Sequence, residues 1–123
     1  MKNLLILFAF VALPWVTKAQ QFPQFKWNET VHDFGKIKKG IPVTATFSFA
    51  NTGKAPLIIT EAKGSCGCTV PEHTKEAVQP GKSGKVTATF NAAAVGVFAK
   101  TVTVTSNVEG GSQLLTIKGE VTE

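Results

Sequence analysis

The residues best equipped for chemistry lie in one stretch, Gly64-Ser65-Cys66-Gly67-Cys68-Thr69-Val70-Pro71, which holds both cysteines of the 123-residue chain. Two thiols separated by one residue can do three things. The sulfurs can bond to each other, which needs Cα atoms within roughly 4.4 to 6.8 Å. Across a single residue that means a tight turn, and Gly67, lacking a Cβ, permits it. So small a ring is strained and easily reduced. It stabilises the fold little, because stabilisation grows with the loop that is closed. Alternatively, the two thiolates can hold a soft ion such as Cu(I) or Zn(II), with His73 as a third ligand. A structural zinc site wants four ligands and usually a wider cysteine spacing, and the other histidine, His32, is remote in sequence. In the third case the pair are plain small side chains packed in a tight loop. Gly64, Gly67 and Pro71 would shape the loop in all three.

No other constellation is complete. Gly81-Lys82-Ser83 has the ending of a phosphate-binding loop, but Glu76 stands where that motif needs its first glycine. No nucleophile elbow of the Gly-x-Ser-x-Gly type occurs. His32 and Asp33 are adjacent, so in a strand they point to opposite faces and cannot share a substrate. No pair of acids sits in an apolar setting suited to general acid–base work. Asn28-Glu29-Thr30 fits the glycosylation pattern, which is common by chance. Trp27, Phe22 and Phe25 can form a contact surface, although core packing or an edge cover explains them more simply.

The chain carries 13 lysines, no arginine and 8 acids, for a net charge of +5. The lysines are scattered, and arginine is the usual reader of bases and phosphates. The charge therefore serves solubility, and nucleic acid is not an expected partner. Residues 1–19 read as a signal peptide: a basic start at Met1-Lys2-Asn3, an apolar run from Leu4 to Leu13, Pro14, then Thr17-Lys18-Ala19 before a cut. That run is well short of the roughly 20 residues that span a bilayer, so no membrane span is expected in the mature chain. The expected location is periplasmic or secreted, an oxidising setting in which a disulfide persists.

The loop is positioned by strands. Val43, Ala45, Phe47 and Phe49 alternate with Thr44, Thr46 and Ser48, the period of a half-buried strand. Val86, Ala88 and Phe90 repeat the pattern, as do Phe98, Val102 and Val104, and then Leu115, Ile117 and Val121. Leu57 to Ala62 reads as a strand with a bulge or burial on both faces, and Trp27 to Phe34 as the first strand. Asn51-Thr52-Gly53-Lys54, Pro80 to Gly84 and Gly110-Gly111 are turns. Gly35 to Gly40 reads as a basic turn with Ile37 tucked inward, and Glu72 to Gln79 as a loop or one helical turn. Residues 20–29 read as an N-terminal arm, loosely attached from Gln20 to Lys26, and residues 30–123 as the domain. Short strands without intervening helices predict an all-β, antiparallel sandwich of about seven strands.

The run His32-Asp33-Phe34-Gly35-Lys36-Ile37, then Phe47-Ser48-Phe49-Ala50-Asn51-Thr52-Gly53, Pro56-Leu57, Ser65-Cys66-Gly67-Cys68-Thr69, Pro71, Pro80-Gly81, Gly84, Phe90, Gly96, Ser106-Asn107 and Gly119 resembles an exported bacterial domain-of-unknown-function family, number 1573. The likeness covers about residues 30 to 121. It implies an immunoglobulin-like sandwich related to abnormal-spindle and hydin-type domains, whose members serve mainly as scaffolds or protein-binding modules. It implies no enzyme activity and no cofactor. The expectation is a non-catalytic module whose partner is another envelope or secreted protein. The alternative is thiol–disulfide or soft-metal handling through Cys66 and Cys68.

Overall fold

The computed structural model describes residues 21–123, so the expected leader, residues 1–19, lies outside the described residues. All the regular elements described are strands: β1 (Phe25–Trp27), β2 (Val31–Lys38), β3 (Val43–Asn51), β4 (Ile59–Gly64), β5 (Thr69–His73), β6 (Ser83–Phe90), β7 (Gly96–Ser106) and β8 (Ser112–Thr122). They form two four-stranded sheets, ordered β1-β3-β6-β5 and β2-β8-β7-β4. Among the described residues no helix is long and apolar enough to cross a membrane.

The alternation read from the sequence becomes the core. Phe47, Val86 and Ala88 of one sheet face Val102, Val104, Leu115 and Ile117 of the other, all fully or almost fully buried. Antiparallel pairing sets Phe47 opposite Val86 and Ala45 opposite Ala88, so the inward positions of neighbouring strands coincide. The hydroxyl residues between them line the outer faces, where Thr44 and Thr89 share a hydrogen bond across the pair.

Three expectations are corrected. The N-terminal arm is not loose, because Phe25–Trp27 pairs with β3 and its rings pack on Phe49 at 4.8 and 5.0 Å between centroids. The chain then crosses to the second sheet, where β2 pairs with β8 in parallel. The all-β sandwich is as expected, with one parallel pair, and its eight strands add β1 and β5 to the six runs read from the sequence. Gly35 to Lys38 continues β2 through a bulge between Asp33 and Lys36 rather than turning away. Gly35 adopts φ +68°, a conformation that favours glycine, and donates its N–H to the Asp33 carboxylate at 2.8 Å. The extra residue shifts the parity, so both Phe34 and Ile37 pack against the core. Last, Thr69–His73 is a strand, although Glu72 and His73 read as loop.

Candidate functional site

β4 is an edge strand of one sheet and β5 an edge strand of the other. Residues Ser65–Cys68 connect them, so the cysteine loop crosses from sheet to sheet at one end of the sandwich. In the structure Cys66 and Cys68 are joined by a disulfide, with Cα atoms 5.3 Å apart. Four backbone-anchored contacts hold the crossing. Ser65 donates its N–H to Thr101 O at 2.8 Å, and Thr69 donates to Cys66 O at 3.3 Å. The Ser65 hydroxyl accepts from Thr101 N–H at 3.1 Å. Asn91 donates its N–H to Cys68 O at 3.1 Å.

The glycines divide the work differently from the sequence expectation. A Cβ on Gly64 would lie 2.6 Å from Thr69 O, a backbone atom that cannot step aside. Gly67 has nothing within 4 Å of the place a Cβ would occupy, and its φ lies outside the left-handed region. The close approach that requires glycine is thus at Gly64, where the two sheets nearly touch. Pro71 has its own logic. Cys68 O accepts from Asn91 and Thr74 N–H donates to Lys85 O, so even-numbered residues of β5 direct their backbone groups to β6. Pro71, which has no N–H, falls at the free edge. It blunts that edge against pairing with another strand.

His73 is not brought to the cysteines. It ends β5, an extended run that places it about 16 Å from Cys68 at roughly 3.3 Å per residue. Its Nδ1–H donates to Thr74 O at 2.9 Å and its Nε2 accepts from Lys75 Nζ at 3.4 Å. With both sulfurs in the disulfide, the metal set Cys66, Cys68 and His73 is not assembled. Among the described residues no group of three or more His, Cys, Asp or Glu is placed to hold a metal ion. His32 and Asp33 diverge as expected, His32 pairing with Glu29 at 2.7 Å.

Two loops join the cysteine crossing at this pole. The β6–β7 corner is bonded to it through Asn91, and the β2–β3 turn is bonded to the corner by Gly40 N–H donating to Ala92 O at 2.9 Å. Ala92 is buried at φ +53°, an unfavourable conformation for a residue with a Cβ. Around the crossing, Ile41, Val95 and Val97 are 54%, 53% and 85% exposed. Between the corner and Cys68 lies a cleft of about 250 Å³ lined by Phe90, Ala93, Val95, Val97 and Phe98, with Lys100 as its charged member. Its base is the stacked pair Phe90–Phe98, centroids 4.1 Å apart.

Lys100 joins the site from β7. On β7 the even positions face the core: Phe98, Val102 and Val104 are buried, and Lys100 pairs with the buried Ile117. A lysine interrupting the series Phe98, Val102, Val104 was the available signal. Asn51 was read as a turn residue and is instead fully buried.

The fold has relatives of known structure. A protein of unknown function from Porphyromonas gingivalis W83 superimposes with TM-score 0.72 at 17% identity, over 85% of this chain and 50% of that one. The VesB protease of Vibrio cholerae gives TM-score 0.63 at 19% identity, over 81% of this chain and 32% of that chain. The ASH/PapD-like domain 7 of human CEP192 gives 0.63 at 12% identity, over 83% and 87%. The chain thus spans about half of the first and a third of the second, and these likenesses show the fold alone. No curated protein matches the chain. The family model described as "Protein of unknown function (DUF1573)" matches residues 25–121, which takes in every strand except the last residue of β8, and the chain belongs to that family.

Proposed function

We propose that this chain is an exported, non-catalytic immunoglobulin-like module that binds another protein of the cell envelope through the pole built around the cysteine crossing. The observation that carries it is that Ile41 of the β2–β3 turn, Val95 of the β6–β7 corner and Val97 at the start of β7 expose apolar side chains beside a crossing that hydrogen bonds tie to both of those loops. Burying one such side chain contributes about 1.5–3 kcal/mol, and a rigid frame avoids most of the ordering cost of binding. The leader-like start of the sequence supports export, and the disulfide fits an oxidising compartment. The PapD-like likeness supports a module rather than a catalyst, as does the blunted β5 edge, which directs recognition to the loops.

The test is retention of an envelope protein from the producing bacterium by the immobilised mature chain. Wild type retains a defined protein. The double variant Val95→Lys, Val97→Lys loses it while melting within about 2 °C of wild type, because exposed substitutions alter stability little. Equal retention by both, or retention by neither, contradicts the proposal.

A further inference from the structure

Lys100 and the disulfide have no part in docking alone. Lys100 is half-buried at a core-facing register position, and among the described residues the one ion pair is His32–Glu29. Lys100 precedes Thr101, whose backbone is bonded to Ser65 beside Cys66, and it lines the same cleft as Cys68. Lys63 on β4 and Glu72 on β5 are exposed on outer faces, and Lys100 is the charged side chain that lines the cleft with Cys68. A cation beside a sulfur stabilises its thiolate, and a ring closed across one residue is weakly held against reduction.

We propose that the Cys66–Cys68 disulfide is a thiol–disulfide exchange site for a cysteine-bearing apolar peptide segment seated in the cleft. The apolar walls formed by Phe90, Val95, Val97 and Phe98 take the side chains that flank the substrate cysteine. Lys100 draws its thiolate to the Cys68 sulfur. That thiolate attacks Cys68 Sγ, a substrate–Cys68 disulfide forms, the Cys66–Cys68 bond breaks, and Cys66 leaves as a thiolate that takes a proton from water. A second substrate thiolate then attacks the first substrate sulfur and expels Cys68, whose thiolate Lys100 stabilises before it too is protonated. The substrate dithiol loses two electrons and two protons and becomes a disulfide, and the protein disulfide gains both as two thiols. The inference rests on the same pole as the binding proposal and adds chemistry to it.

The oxidised mature chain is mixed with either of two reduced dithiol peptides of equal length, one with apolar residues around its cysteines and one with Lys and Glu there. Mass spectrometry after acid quench follows the loss of the protein disulfide and the gain of the peptide disulfide. The apolar peptide reacts at least about tenfold faster, the factor that 1.4 kcal/mol makes. Val97→Lys removes that preference. Lys100→Met slows both peptides about tenfold, and Lys100→Arg restores the rate. In a Cys66→Ser background, the pH midpoint for alkylation of Cys68 rises when Lys100→Met is added, which a purely structural lysine would not cause. Equal rates for the two peptides, or an unmoved midpoint, overturns the inference. Partner retention by the wild-type chain reads the binding proposal, and exchange by the same wild-type chain reads this one. A chain that retains its partner yet exchanges with neither peptide therefore loses this inference alone.

Discussion

Replacing Asn51 with leucine removes, at nearly constant volume, a side chain that makes four hydrogen bonds. Asn51 is wholly buried at the end of β3. Its Oδ1 accepts from Gln24 N–H at 3.2 Å and Gly53 N–H at 3.0 Å. Its Nδ2 donates to Ala55 O at 2.8 Å and Val78 O at 2.9 Å. One amide thus fastens the N-terminal segment, the β3–β4 turn and the β5–β6 connection to one another. At about 1 kcal/mol net per hydrogen bond, less what water recovers at the part-buried partners, the loss is about 3 kcal/mol. For a domain of this size each kcal/mol moves the melting temperature by about 4–8 °C, so Asn51→Leu should melt roughly 12–24 °C below wild type in calorimetry. Asn51→Asp adds a sign. It keeps both acceptor contacts but turns an oxygen toward the Ala55 and Val78 carbonyls. Burial and those carbonyls raise the folded-state pKa of the carboxyl above its unfolded value of about 3.9. The variant therefore gains stability relative to wild type as the pH falls through the folded pKa toward the unfolded one, and loses it as the pH rises. A melting temperature for Asn51→Leu within 3 °C of wild type would refute the reasoning.

Two further predictions concern the cysteine crossing. Gly64→Ala forces a Cβ to 2.6 Å from Thr69 O and should destabilise by about 2 kcal/mol or more, within the range for overpacking. Gly67→Ala meets open space and should cost under about 1 kcal/mol, so paired denaturant titrations should separate the two glycines. Replacing both cysteines with serine should cost under about 2 kcal/mol, because the closed loop is so short. The double variant should keep its sheet signal in circular dichroism; unfolding at ambient temperature would mean that the bond, not the sheets, holds the pole.

Much of the fold was legible because β3, β6, β7 and β8 have neighbours that bury one face and leave the other wet, which writes alternation into the sequence. β1 and β5 lie at sheet edges, where burial is partial and the pattern fades. Pro71 tells against a strand unless its missing N–H faces solvent, as it does here. The β2 bulge hid a strand behind a glycine and two lysines, since one inserted residue reverses the parity that a reader follows. The cysteine pair was visible as a tight loop, but its place between two sheets was not, because the topology decides that. Asn51 shares its composition signal with an ordinary turn, and only the positions of Gln24 and Val78, distant in sequence, reveal its role. Lys100 was legible in principle, as the one charged residue in an inward series.

The most direct check on the bonded crossing is the intact mass of the folded chain, produced as residues 20–123 and treated with an alkylating agent before and after reduction. A bonded crossing predicts a chain two hydrogens lighter than its composition, unlabelled until reduced and doubly labelled afterwards. A folded chain at full mass that takes two labels without reductant would contradict it.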